Sequence, residues 1–236
     1  MSTTSIWVRI RLPAVTSDRG ATGRGSPVSG LPTARRVSSP EPPPDDPALP
    51  RVKLLCDALN DHGVHYVLFG SFAGLLQGVP LRTVDIDIVP ETSPINLQRL
   101  CDALNSLHPP WRVDDLSAGL KIDGGQLEPR HILGSSVALG LVTNAGMVDI
   151  VLEPKGFEGG YPDLDRSAIG VEVEGTRVRV GTLAALITSK HLLSRAKDRE
   201  HLPLLRHRVA ELMAKAEERG PRGPGREPDV GIDLGR

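Results

Sequence analysis

The chain has little of what would point to a secreted or membrane protein. Its 236 residues include only two cysteines, Cys56 and Cys101, and each stands beside leucines that follow a core pattern. Two such thiols are typical of small buried side chains in a reducing compartment rather than of a disulfide or a metal site. No apolar run approaches the about 20 residues of a membrane-spanning helix, and the first residues, with Arg9 and Arg11 in a short alternating stretch, do not have the pattern expected of a secretory signal. We therefore expect a cytoplasmic protein with no membrane partner.

An excess of charge of one sign is also lacking. The formal net charge is −1 and the pI is about 6.7, so global charge does not predict binding to nucleic acid. With 39% apolar and 24% charged residues, the chain can build one domain with a substantial core. Its ends differ, because residues 1–50 contain nine prolines and the last residues are rich in glycine and proline. We predict disordered tails over residues 1–48 and 220–236.

A strand, a tight turn and a short helix are predicted in the first half of the chain. Tyr66–Phe69 is an apolar run of strand length that ends at Gly70. Ser71 is a good N-cap for a helix over residues 72–77, which Gly78 would end. Such a turn offers backbone N–H groups and a hydroxyl to an anion such as phosphate, although alone it is more often a simple cap.

The strand that follows carries two carboxylates. Residues 84–89 alternate with period two, so Asp85 and Asp87 point to one face and the apolar residues, Val84 among them, point to the other. Two close carboxylates repel each other, and burying them costs free energy unless a cation lies between them. Mg²⁺ prefers such oxygen ligands together with substrate phosphates. A phosphate site followed closely by a metal site indicates phosphoryl-type transfer from a nucleotide.

These residues resemble the signature of a known family. Gly70-Ser71, thirteen intervening residues and then Asp85-x-Asp87 are similar to the motif of the nucleotidyltransferase superfamily with the DNA-polymerase-β-like fold. The longer sequence GSFAGLLQGVPLRTVDIDIV is more specifically similar to the bacterial AbiEii/MenA-like branch. The likeness covers roughly residues 50–210.

The resemblance implies a nucleotidyltransferase fold of the α+β class, in which helices flank a mixed β-sheet. We place the catalytic core in residues 49–180 and a C-terminal helical part in residues 181–219. Within the core, the local pattern predicts a β-hairpin with Glu174-Gly175 at its turn. In the helical part, Pro203 predicts a break or a new helix start.

A third acidic residue stands in an apolar strand. Asp149 lies within GMVDIVLE, where a lone carboxylate is costly unless a metal or a proton-accepting role compensates. An aspartate at a strand edge is the alternative. The resemblance implies that Asp149 joins Asp85 and Asp87 as the third catalytic and metal-binding carboxylate. Asp123 is its competitor, but the two glycines after it favour a turn.

A buried lysine is predicted in the C-terminal helices. Lys190 falls on the inward stripe, where an unpaired lysine is unusual, although a lysine whose amino group reaches solvent is the alternative. The sequence that begins at Lys190 resembles a later motif of the AbiEii-like branch and matches it at Lys190 and Asp198. An acid usually stands there in place of His201, so the resemblance gives His201 no role. We predict that the nucleotide is bound by Gly70, Ser71, Arg82 and Lys190.

The resemblance implies a nucleotidyltransferase that uses Mg²⁺, or Mn²⁺ in its place. Such an enzyme moves a nucleoside monophosphate from an NTP to a hydroxyl group and releases pyrophosphate. The acceptor is open between a tRNA or protein hydroxyl, as for a toxin with an antitoxin partner, and a small molecule of the antibiotic type. A non-catalytic nucleotide-binding module on the same scaffold is a third interpretation.

Overall fold

A mixed β-sheet forms the centre of the structure. The computed structural model describes residues 7–10, 48–107, 111–112, 125–135 and 138–218. The strands in these residues are β1 (Trp7–Ile10), β2 (Tyr66–Phe69), β3 (Asp85–Pro90), β4 (Trp111–Arg112), β5 (Ala138–Thr143), β6 (Gly146–Val151), β7 (Ile169–Val173) and β8 (Thr176–Val180). The helices are α1 (Ala48–Asp61), α2 (Gly70–Leu76), α3 (Pro94–Ser106), α4 (Pro129–Leu133), α5 (Tyr161–Asp165), α6 (Leu183–Leu193) and α7 (Ala196–Glu218).

The strands run in both directions within one sheet, in the order β1-β7-β8-β2-β3-β6-β5-β4. β3 is antiparallel to β2 and parallel to β6, so the Asp-x-Asp strand lies between the strand that precedes the turn and the strand of Asp149. The predicted α+β class, with a mixed sheet flanked by helices and a C-terminal helical part, is confirmed.

The period-two alternation of β3 decides which side of this strand enters the core. Ile86 and Ile88 are buried, and α3 contacts both β3 and α1. Full burial of one such side chain stabilises the fold by about 1.5–3 kcal/mol. Val84, which we expected on the same side, is 78% exposed because β3 begins only at Asp85.

The β7–β8 hairpin has the turn that its sequence predicts. Glu174 and Gly175 both have positive φ, at 49° and 86°. Two successive residues in this region are what a two-residue type I′ hairpin turn requires, and glycine meets that requirement at no steric cost. β8 pairs with β2, so the hairpin continues the sheet next to β2.

Two predicted boundaries were wrong. The N-cap of α2 is Phe69, which makes no capping bond through its side chain, and Ser71 lies inside the helix with its hydroxyl bonded to distant residues. The break in the C-terminal helices is at Ser194, whose φ of 51° ends α6, while Pro203 lies inside α7. Proline has no backbone N–H, so the carbonyl one turn earlier in α7 lacks its usual helix hydrogen bond. Pro203 is exposed, so water can bond to that carbonyl instead.

The N-terminal tail also needs a correction. Trp7–Ile10, within the segment predicted to be disordered, pairs in parallel with β7, so the prediction is wrong for these four residues. The pairing is favourable because the edge of β7 would otherwise leave backbone N–H and C=O groups unpaired. The rest of the predicted N-terminal tail up to residue 47, the tail from residue 220 and Asp123 lie outside the described residues.

Both cysteines, Cys56 and Cys101, are buried free thiols, as expected. Across the described ranges, no helix combines the length and the apolar character that crossing a bilayer requires.

Candidate active site

Strand register brings the three predicted carboxylates together. Asp87 on β3 is the direct partner of Asp149 on β6, and Asp85 stands two residues earlier on the same face of β3. Adjacent strands are about 4.8 Å apart, so the carboxylates of Asp87 and Asp149 leave the sheet side by side. Because the two residues are far apart in the sequence, only the pairing of β3 with β6 produces this group.

Gly70 places the turn directly against one of these carboxylates. In the antiparallel pairing of β2 with β3, Phe69 is opposite Asp87, so the chain turns at the next residue beside the Asp87 side chain. Gly70 has a φ of +64°, and a Cβ atom there would be 1.8 Å from Asp87 Oδ2. Only glycine fits both the backbone conformation and the space.

Burial and mutual repulsion make two of the carboxyl groups weaker acids. Burial raises the pKa of Asp87 to about 7, together with the charges of Asp85 and Asp149, while Lys190 and Lys197 oppose the change. The pKa of Asp149 is also raised, first by burial and then by Asp85. A concentrated negative charge of this kind attracts a cation or a proton.

Three half-buried carboxylates lie on neighbouring strands. Such a set of oxygen donors has the chemistry of a site for a hard divalent cation. Two of the three side chains also lie against other groups. Asp85 Oδ1 accepts a hydrogen bond from the Thr83 hydroxyl, and Asp87 lies against Gly70. Within the part of the chain that the structure describes, no three or more His, Cys, Asp or Glu side chains are arranged to hold a metal ion.

Lys190 is buried and held by two hydrogen bonds, as its position on the inward stripe indicated. Its Nζ donates to Ser71 Oγ at 3.1 Å and to Asp198 Oδ1 at 3.3 Å. The Asp198 side chain is 0% exposed and also accepts from Arg195 Nε at 2.7 Å. Burial alone would raise the pKa of Asp198, but the Arg195 hydrogen bond and the charge of Lys190 outweigh it and lower the pKa.

His201 also contacts Ser71. Its Nδ1 is 3.3 Å from Ser71 Oγ, and both residues are buried. Burial lowers the pKa of His201, and the nearby charges of Lys190 and Lys197 lower it further. The imidazole is therefore neutral at neutral pH, so one of its nitrogens can accept a hydrogen bond.

One cavity of about 380 Å³ collects most of the predicted residues. Gly70, Ser71, Lys190 and all three carboxylates line it, whereas Arg82 is exposed and does not. Sequence reasoning did not assign a site role to four charged residues that also line the cavity, which are Glu153, Lys155, Arg195 and Lys197. A usable signal existed for all four, because Glu153 and Lys155 come within four residues of the end of the strand that carries Asp149, and Arg195 and Lys197 lie within the motif that begins at Lys190.

Comparison with solved structures finds distant likenesses. A provisionally assigned nucleotidyltransferase (TM1012) from Thermotoga maritima aligns at 19% identity and a TM-score of 0.39, over 72% of this chain and 92% of its own. The antibiotic-resistance factor ANT(2'')-Ia aligns at 14% identity and a TM-score of 0.44, over 72% and 91%. An antigenic nucleotidyltransferase-like protein from Paracoccidioides brasiliensis aligns at 16% identity and a TM-score of 0.42, over 74% and 90%.

No family model and no curated protein matches the chain. With TM-scores below 0.5 and identities below 20%, the structural likenesses establish neither a family nor an activity for this protein. These structural likenesses do not test the predicted similarity to the AbiEii/MenA-like branch.

Proposed function

We propose that the protein is a divalent-metal-dependent nucleotidyltransferase that moves a nucleoside monophosphate from an NTP to a hydroxyl group. The observation that carries the proposal is the meeting of Asp85, Asp87 and Asp149 with the Gly70-Ser71 turn in one cavity. Carboxylates repel phosphates unless a cation lies between them, so this combination suits a metal-bound nucleotide better than either component alone.

The carboxylates would hold Mg²⁺ or Mn²⁺. In phosphoryl-type transfer, such an ion neutralises charge on the phosphate oxygens and on the attacking and leaving oxygens. The chain supplies further positive charge in the same cavity, which Lys190, Arg195 and Lys197 also line. Lys190 uses two of its three N–H groups within the protein, which leaves the third for a phosphate oxygen.

The cavity also has room and surface for the nucleoside. Phe69, Val151, Leu186 and Leu193 line it alongside the charged residues. Apolar walls with a few convergent polar groups are typical of sites for small organic ligands. Phe69 is held in place by an edge-to-face contact with Phe157, with ring centroids 6.0 Å apart.

In the transfer step, the acceptor oxygen forms a bond to the α-phosphorus and the bond to the β-phosphate oxygen breaks. Pyrophosphate leaves, and the hydroxyl proton passes to Asp149. Asp149 suits this role because it lines the cavity beside the other two carboxylates, where one of its oxygens can accept a proton. The charges of Lys190 and Lys197 stabilise the negative charge that develops on the phosphates.

The test is incubation with α-labelled NTPs, Mg²⁺ and a lysate separated into RNA, protein and small-molecule fractions. We expect label in one fraction with the wild-type protein and none with Asp87→Ala. Asp61→Ala, which removes an exposed aspartate of α1, is the matched control and should transfer label like the wild type. The labelled fraction identifies the acceptor class, including an RNA or protein target of a toxin. Equal labelling by Asp87→Ala, or nucleotide binding with no transfer to any fraction, would refute the proposal.

A further inference from the structure

The buried imidazole of His201 takes no part in the transfer described above, yet it lies one hydrogen bond from the candidate phosphate-binding turn. His201 Nδ1 is 3.3 Å from Ser71 Oγ. His201 is 7% exposed and Ser71 is 4% exposed, so bulk water is a poor alternative partner for either group. The two residues are 130 positions apart, so packing of α7 near the start of α2 makes this contact.

The chemistry of Lys190 fixes the direction of one of these hydrogen bonds. An ammonium group only donates, so Lys190 Nζ, at 3.1 Å, occupies a lone pair of Ser71 Oγ. The hydroxyl keeps one hydrogen, which needs an acceptor. Nδ1 of a neutral imidazole that carries its hydrogen on Nε2 is an acceptor within reach, 3.3 Å away. With that tautomer, the hydrogen bonds run in one direction from Lys190 through Ser71 to His201.

We propose that His201 is a positioning residue that accepts the Ser71 hydrogen, turns a Ser71 lone pair to Lys190 and so holds the Lys190 ammonium at the cavity wall. The same ammonium also donates to Asp198 Oδ1 at 3.3 Å, and Asp198 lies on α7 whereas Ser71 lies on α2. Two anchors fix a flexible side chain better than one, and the remaining N–H is left for an anion in the cavity. The inference rests on the proposed function in one respect, because Lys190 is taken to bind the nucleotide's phosphates.

The surroundings of His201 favour the neutral form that the chain needs. Ser71 from α2 contacts the ring, and the charged groups that act on it are Lys190 from α6 and Lys197, Asp198 and Glu200 from α7. Burial and the two lysines disfavour protonation and outweigh the two carboxylates, so the pKa is lowered. Protonation in acid would convert Nδ1 into a donor and break the chain at Ser71.

Two substitutions of His201 separate positioning from mere packing. His201→Asn keeps a hydrogen-bonding atom close to the position of Nδ1, whereas His201→Leu keeps bulk and removes the acceptor. With ATP and Mg²⁺ as the probe, we expect binding about tenfold weaker for His201→Leu and within about twofold of wild type for His201→Asn. In a Ser71→Ala background, His201→Leu should cause no further loss, because the chain is already broken. Wild-type affinity in His201→Leu would overturn the proposal.

The pH profile and the tautomer provide further readouts. Asp87 titrates in both proteins, so both should lose ATP affinity in acid, but the wild type should lose more than His201→Asn. Identical pH profiles for the two proteins would count against His201. Nitrogen NMR of the wild-type protein without nucleotide should show an unprotonated Nδ1 at pH 7.5, and a protonated Nδ1 would overturn the inference. Because the NMR result needs no nucleotide, it also decides the matter if His201→Leu does not fold. Failure of every NTP to bind the wild type would instead refute the proposed function.

Discussion

Replacing Asp87 by asparagine should stabilise the metal-free protein at pH 8, although it removes a group of the candidate active site. Burial and the charges of Asp85 and Asp149 raise the pKa of Asp87 from 3.8 to about 7. Each pKa unit corresponds to about 1.4 kcal/mol. Above pH 7, an ionised Asp87 therefore costs the folded protein on the order of 4 kcal/mol that a neutral side chain would not.

The sign of the pH dependence follows from the same values. The folded-state pKa lies above the unfolded value, so the folded protein binds more protons between about pH 4 and pH 7. The contribution of Asp87 to stability is complete below pH 4 and is lost as the pH rises through 7. Asp87→Asn removes this dependence, so the variant should gain on the wild type as the pH increases.

Urea unfolding in EDTA at pH 5 and pH 8 measures the effect. The difference in unfolding free energy between Asp87→Asn and wild type cancels the titration of shared groups that do not interact with Asp87. Asp61→Asn, an exposed aspartate of α1, is the control and should show no such difference. A variant that is equally or less stable than wild type at pH 8 would refute the account of a repulsive carboxylate cluster. Added Mg²⁺ should reverse the ranking, because it binds the intact cluster more tightly.

Three further substitutions test the packing around the site. Gly70→Ala should destabilise the protein by at least about 1–2 kcal/mol in urea unfolding, since its Cβ would be 1.8 Å from Asp87 Oδ2 at a positive φ; wild-type stability would contradict this. Asp198→Ala should cost about 3–5 kcal/mol in the same assay, because Lys190 would lose its buried countercharge; a loss below 1 kcal/mol would count against the ion pair. Pro203→Ala should raise the thermal midpoint by removing a proline from a helix interior, and a lower midpoint would show that a break is needed there.

The sequence was sufficient for the parts of the site that local periodicity decides. The apolar run of β2, the glycine after it and the alternation of β3 are local patterns, and the structure has all three. For Asp149 the local pattern indicated only that a carboxylate in an apolar strand needs compensation, and the family resemblance was needed to place it beside Asp85 and Asp87.

The sequence was insufficient where distant contacts decide. Ser71 has the residue type and position of an N-cap, but Lys190 and His201, more than 100 residues away, take its hydroxyl instead. Arg82 stands close to Asp85 in the sequence, yet the loop before β3 leaves it exposed and away from the cavity wall. No local pattern encodes the path of that loop or the docking of α7.

Isothermal titration of ATP, with and without Mg²⁺, into the wild-type protein and Asp149→Asn tests the central claim most directly. If three carboxylates and the Gly70-Ser71 turn form one metal–nucleotide site, the wild type should bind ATP only when Mg²⁺ is present, and the variant should bind at least tenfold more weakly. Wild-type binding that is the same in EDTA as in Mg²⁺, or that Asp149→Asn leaves unchanged, would contradict the account.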